Sequence, residues 1–253
     1  MKKTRLEHIR DIIEKYGKIS YEELGNLLPD VSNMTLRRDL ILLEEQGLIL
    51  RIRGGAVSIG EITKKSEQEF VHRFSDNVQE KKEIAEKTKK LITPKSCIFI
   101  DSGSTTLYFS KELPNENYYI VTNALNVATE VLRKSQPTVV LLGGDVNRNN
   151  LVTVGRSSLD FLSNINIEVA IMTATGFNPE KGCFTCGLQD EMEIKRAVIE
   201  KADKVLMLLD SSKLGKNMPF TFAELDKIDY LVVDGNFPDE VKSKIEQNGV
   251  AVI

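Results

Sequence analysis

The sequence predicts an α/β protein: a small N-terminal winged helix-turn-helix domain, then a larger α/β domain built on a mainly parallel sheet. Three observations predict it. Three short helical patterns with a tight second turn occupy the start of the chain, an arginine-bearing ribbon follows them, and beyond Ser75 apolar strands alternate with amphipathic helices to the C-terminus.

Residues 4 to 16, TRLEHIRDIIEKY, space Leu6, Ile9, Ile12 and Ile13 along one helical face, and Gly17 ends the run. A second helix opens at Ser20, with Glu23 at the capping-box spacing ahead of Leu24 and Leu27, and Pro29 and Asp30 break it. A third is expected from the N-cap Ser32 to Gly47. Leu36, Leu40 and Leu43 share its inner face, so Thr35 and Arg38 point away and Arg37 lies on the flank. Ile41 and Leu42 make the outer side apolar further along, which leaves only the first two turns polar; that is the half a recognition helix inserts into the major groove. LILRIRGGAV then reads as a ribbon, with Leu50 and Ile52 on one side, Arg51 and Arg53 on the other, and a turn at Gly54 and Gly55. The candidate contacts to double-stranded DNA are Ser32, Asn33, Thr35, Arg37 and Arg38 on the helix, and Arg51 and Arg53 on the wing beside the phosphates. A three-helix module with merely solvated arginines is the plainer alternative. Cap, turn, outward arginines and ribbon all weigh against it.

Composition adds bounds. A chain of 253 residues with 41% hydrophobic and 28% charged residues suits one large domain with a small companion. Ten Lys and Arg face nine Asp and Glu up to residue 57, and 24 face 28 beyond it, so bulk charge does not announce nucleic acid. The opening MKKTRLEHIRDII lacks the apolar run of a secretory signal, and no stretch is long and apolar enough to span a membrane; a cytoplasmic protein is expected. The three cysteines, Cys97, Cys183 and Cys186, are an odd count that argues against a disulfide framework. CFTC at 183 to 186 has zinc or redox spacing, but His8 and His72, the only histidines, lie far upstream. Two ordinary thiols in a loop are expected, with no metal and no other cofactor.

The expected domain boundaries are residues 1–57 for the DNA-binding part, 58–74 for a polar linker of weak periodicity, and 75–253 for the α/β part. Ile84, Ala85, Thr88, Leu91 and Ile92 mark the first helix face of the latter. Five apolar segments end in polar loops: CIFID in SGSTT, YYIVT in NAL, VVLL in GGD, VAIMT in ATG, and VLMLLD in SSK. Open parallel sheets bind ligands beyond the carboxyl ends of their strands, so one shared pocket is expected there. In SGSTT, unpaired helix-start amides and the hydroxyls of Ser104, Thr105 and Thr106 suit an anion, and Gly103 lets it approach the backbone. Neither nucleotide-binding glycine motif is present, which favours a small phosphorylated molecule. DSSK adds Asp210 as an acceptor and Lys213 as a mobile cation. On the helix of residues 188 to 202, Leu188, Met192, Ile194, Val198, Ile199 and Ala202 form an apolar arc that also contains Glu191 and Lys195. Those two charges either pair with each other or face a polar ligand.

The stretch VSNMTLRRDLILLEEQGLILRIRGGAV resembles the winged helix-turn-helix signature of the DeoR family of bacterial transcriptional regulators, in the TLRRDL core and the closing RGGA. FIDSGSTT, VTNAL, LLGG, EMEIK and LDSSK resemble that family's sensor domain, which is similar in fold to ribose-5-phosphate isomerase and glucosamine-6-phosphate deaminase. The resemblance implies that Ser102, Gly103, Ser104, Thr105 and Lys213 hold an effector's phosphate, and that Asn123, Glu191, Lys195 and Asp210 line its sugar. TATGFNPEKGCFTCG keeps the family's glycines and departs from the pattern around the two cysteines.

The expected function is therefore a repressor of a sugar-metabolism operon, released from DNA by a phosphorylated sugar. One recognition helix reads too few bases alone, so a homodimer or homotetramer is expected, with no membrane partner. Two alternatives stay open. One is a sugar-phosphate isomerase with a DNA-binding appendage, using Glu191 or Asp210 as base and Lys195 as electrostatic partner; the other is a regulator responding through Cys183 and Cys186.

Overall fold

Helix α1 (Arg5–Tyr16) buries Ile9 and Ile13, the face its spacing marks, against α3 (Asn33–Glu45), which contributes Leu36, Leu40 and Leu43. Between them, α2 (Tyr21–Leu27) starts with the expected capping box: Ser20 Oγ accepts from Glu23 N at 3.1 Å and Ser20 N donates to Glu23 Oε2 at 2.8 Å. These bonds hold the Glu23 carboxyl below the usual carboxylate range. Buried Asp39 takes both Nε and Nη2 of Arg5, at 2.6 and 3.0 Å, and so ties α1 to α3.

The computed structural model describes residues 5–45, 49–52, 54–58, 74–148 and 150–253. The chain divides into two units, Met1–Glu69 and Phe70–Ile253. The expected linker falls almost wholly on residues 59 to 73, and Gly47 and Arg53 also lie outside the described residues.

The wing contains one strand more than the ribbon pattern indicates. Strands β1 (Lys18–Ser20), β2 (Ile49–Ile52) and β3 (Gly55–Ser58) form an antiparallel sheet in the order β1-β3-β2. Gly55 is required by that pairing, because a Cβ on it would lie 2.1 Å from Ile19 O.

In the second unit, α4 (Val78–Lys89) buries Ile84, Ala85 and Thr88. Seven parallel strands follow in the order β15-β14-β12-β9-β4-β5-β6. They are β4 (Cys97–Ile100), β5 (Tyr119–Thr122), β6 (Thr138–Leu141), β9 (Ile167–Thr173), β12 (Ala202–Leu209), β14 (Tyr230–Val233) and β15 (Ala251–Val252). Alternate side chains of the central strands enter two separate cores: Phe99, Ala170 and Met207 one, Ile98, Ile171 and Leu208 the other. Both sheet faces are buried, so these strands read as unbroken apolar runs.

Two antiparallel additions have no counterpart in the sequence reading. Strands β7 (Asp145–Asn147) and β8 (Val152–Val154) form a hairpin, and β10 (Gly176–Asn178), β11 (Cys183–Cys186) and β13 (Phe220–Glu224) form a small sheet. The cysteines expected in a loop thus occupy a buried strand. At positions i and i+3 they point to opposite faces and cannot meet. Among the described residues no helix is long and apolar enough to cross a membrane.

Candidate functional site

The first two turns of α3 present the residues picked out for DNA. Ser32 Oγ accepts from Thr35 N at 3.3 Å and lies 2.9 Å from Thr35 Oγ1, so both hydroxyls brace the helix start. Asn33, Arg37 and Arg38 are exposed and Thr35 is half-buried. Arg37 lies over the Tyr21 ring at 5.5 Å. Arg51 is held by Glu44 of α3, through its backbone N at 2.8 Å and Nε at 2.7 Å. That grip keeps the Glu44 carboxyl below its ordinary range and staples the wing strand to the helix.

In the second unit the strand ends do converge on a hollow, but only three of the five expected. A cavity of about 60 Å³ is lined by Ser102, Gly103, Ser104 and Thr105 after β4, and by Thr173, Ala174 and Thr175 after β9. Lys213 joins them from the short 3-10 turn after β12, Glu191 and Lys195 from α8 (Gln189–Lys201), and Asn150 from the β7–β8 turn. The ends of β5 and β6 are covered by the chain itself. Thr153 N donates to Asn123 O at 2.7 Å, Thr153 Oγ1 to Leu142 O at 2.7 Å, and Ser158 Oγ to Gly143 O.

Helix α5 (Ser104–Glu112) starts at this cavity with Gly103 as N-cap and no side chain capping it. Its first amides have no intrahelical acceptors and carry the positive end of the helix dipole. Gly103 is needed here, since a Cβ would lie 2.7 Å from Thr173 Oγ1. Thr106 is a correction: it is fully buried and its Oγ1 donates to Gly103 O at 3.1 Å, so its hydroxyl braces the turn rather than facing an anion.

Glu191 and Lys195 are buried as their place in the apolar arc requires, but they do not pair with each other. Lys195 Nζ forms an ion pair with Asp101, donates to Thr173 O at 3.0 Å and lies 5.1 Å from the Phe222 ring centre. Glu191 instead accepts from the Asn150 side-chain amide. Leu188, expected in the same arc, is the half-exposed N-cap of α8. Asn123 and Asp210 are buried but are not among the cavity-lining residues. Asn123 Nδ2 donates to Thr153 O at 3.1 Å. Asp210 Oδ1 accepts from Ser212 N at 3.2 Å and Asn77 Nδ2 at 3.4 Å, while its Oδ2 has no hydrogen-bond partner among the described residues.

Sequence reasoning missed four residues. Asp101 accepts from Thr173 N at 3.0 Å, and Thr173 Oγ1 lies 2.9 Å from Ser102 O, so these two with Lys195 form a floor beneath the Ser102–Thr105 loop. An aspartate closing an otherwise apolar strand was the available signal. Lys81, fully buried on α4, sits one turn before Ile84 and Ala85, and that spacing marks it. Burial lowers its pKa, Asp210 opposes the shift, and Lys213 adds to it. Asn150 carries no periodic signal. Burial likewise pushes the Cys186 thiol up to about 11, against the pull of Lys195. Among the described residues no three His, Cys, Asp or Glu side chains gather as a metal site.

Residues 5–61 match the family described as DeoR-like helix-turn-helix domain, and residues 76–235 the DeoR C terminal sensor domain. The chain is 31% identical to the HTH-type transcriptional regulator GolR of Listeria innocua, over 98% of this chain and 96% of that one. It is 32% identical to the glycerol-3-phosphate regulon repressor of Escherichia coli, over 95% and 94% respectively. It is also 31% identical to the HTH-type transcriptional repressor GlcR of Bacillus subtilis, over 98% and 95%. Among solved structures it is similar to ribose 5-phosphate isomerase A from Methanocaldococcus jannaschii, at 18% identity and a TM-score of 0.42 over 55% of each chain.

Proposed function

Because the chain belongs to the DeoR family of transcriptional regulators, we propose that it represses a sugar-use operon and leaves its operator when a phosphorylated sugar fills the sensor cavity. The observation that carries this reading is the cavity itself: an uncapped helix start, Ser104, Thr105 and Lys213 all line one hollow. That combination suits a phosphate dianion. Glu191 beside it suits the hydroxyls of a sugar. The Escherichia coli relative represses the glycerol-3-phosphate regulon, which supports phosphorylated polyols as the effector class.

On the DNA side, Ser32, Asn33, Thr35, Arg37 and Arg38 would enter the major groove, with Arg51 and Arg53 at the phosphates. A homodimer or homotetramer supplies the paired half-sites. Release requires that the sugar phosphate favour the DNA-incompetent arrangement. The domain boundaries proposed remain residues 1–57, 58–74 and 75–253.

A thermal-shift panel of triose, pentose and hexose phosphates and of glycerol 3-phosphate, run beside the unphosphorylated parents, tests the reading. A phosphorylated ligand at a hundred times its Kd stabilises by about 2.7 kcal/mol, while its parent leaves the transition in place. Equal shifts from both would remove the phosphate from the account. Turnover of any panel member would instead revive the isomerase.

A further inference from the structure

A cavity of about 60 Å³ is far smaller than the roughly 300–1,000 Å³ of ordinary small-molecule pockets. Its lining combines the Ser102–Thr105 loop and helix start with the side chains of Glu191 and Asn150. Asn150, from the turn between β7 and β8, donates its amide to buried Glu191. The base of that hairpin is pinned: Thr153 N bonds Asn123 O at 2.7 Å and Leu125 N bonds Leu151 O at 2.9 Å. Leu151, the residue after Asn150, has a φ of 54°, a left-handed backbone that non-glycine residues seldom take.

The chemistry of this contact is informative. An ionised carboxylate only accepts, and Lys195, one turn along α8, is committed to Asp101 and Thr173. Glu191 takes its donor from Asn150, and an N–H donor there does what the hydroxyl of a sugar would do.

We propose that Asn150 occupies the sugar subsite as an internal substitute for a ligand hydroxyl, and that a hydroxyl of the effector competes with it for Glu191 and replaces it there. This rests on the sugar-phosphate reading above. A phosphate without such a hydroxyl leaves Asn150 in place. One that carries it must first displace the amide, so its measured affinity is lowered by the fraction of molecules with Asn150 swung out.

The test is isothermal titration of the full chain and its Asn150→Ala variant with inorganic phosphate and with the sugar phosphates of the panel. The variant is expected to bind the sugar phosphate about five- to twentyfold more tightly and inorganic phosphate within about twofold of the parent. Unchanged or weaker sugar-phosphate binding overturns the proposal, the latter by making Asn150 a ligand contact. An equal gain for inorganic phosphate also overturns it, since Asn150 would then only obstruct entry. If the parent chain binds no sugar phosphate at all, the effector reading fails first, and the proposal with it.

Discussion

Replacing Asp101 by Asn leaves the Lys195 ammonium buried with its charge uncompensated. The two side chains are 2% and 7% exposed, so water screens the pair poorly, and breaking such a pair from one side costs about 3–5 kcal/mol. Thr173 O still accepts from Lys195 at 3.0 Å, and an Asn oxygen still accepts from Thr173 N, so the loss is expected toward the lower end of that range. Urea unfolding followed by circular dichroism is the assay. With a slope of about 2–3 kcal/mol per molar, the midpoint should fall by about 1–1.5 M. The double variant D101N/K195M, which removes both charges and keeps the volume, should recover to within about 1.5 kcal/mol of the parent. A loss under about 1 kcal/mol in D101N, or no recovery in the double variant, would refute the claim that this pair is sealed beneath the Ser102–Thr105 loop.

Two further outcomes are expected. Arg38→Ala should weaken specific binding by about 1–3 kcal/mol while leaving random duplex nearly untouched, whereas Arg51→Ala should weaken both alike; equal losses for Arg38→Ala in a competition assay would remove it from base reading. Cys186, with its thiol raised from 9.0 to about 11, is neutral in all but about 0.1% of molecules at pH 8, so iodoacetamide should modify it only after unfolding. Its contribution to stability is full below the unfolded value near 9 and is lost as pH rises toward about 11. Rapid labelling in the native state at pH 8 would restore the thiol-responsive alternative.

The local signals in the sequence were strong where the chain's own periodicity governs packing. Caps at Ser20 and Ser32, the buried faces of α1 and α3, and the strands ending at Ile100, Thr173 and Leu209 all follow from spacing and turn chemistry. What was not legible depends on partners remote along the chain. Asp101 meets Lys195 across 94 positions and Asn150 meets Glu191 across 41, and no local pattern encodes either encounter. The β7–β8 hairpin escaped notice because three-residue strands hold too few side chains to show an alternation. Its presence also explains why Asn123, at a strand end like Ser102, is bonded to Thr153 rather than lining the cavity.

The central claim couples the anion cavity to DNA. It is tested most directly by fluorescence anisotropy of a duplex selected by the protein itself, titrated with the sugar phosphate that stabilises it, for the parent chain and for Lys213→Ala. The account predicts that both chains hold the duplex equally in the absence of ligand, and that the ligand releases the parent at concentrations that leave the variant bound. Release of both chains at the same concentration would contradict it.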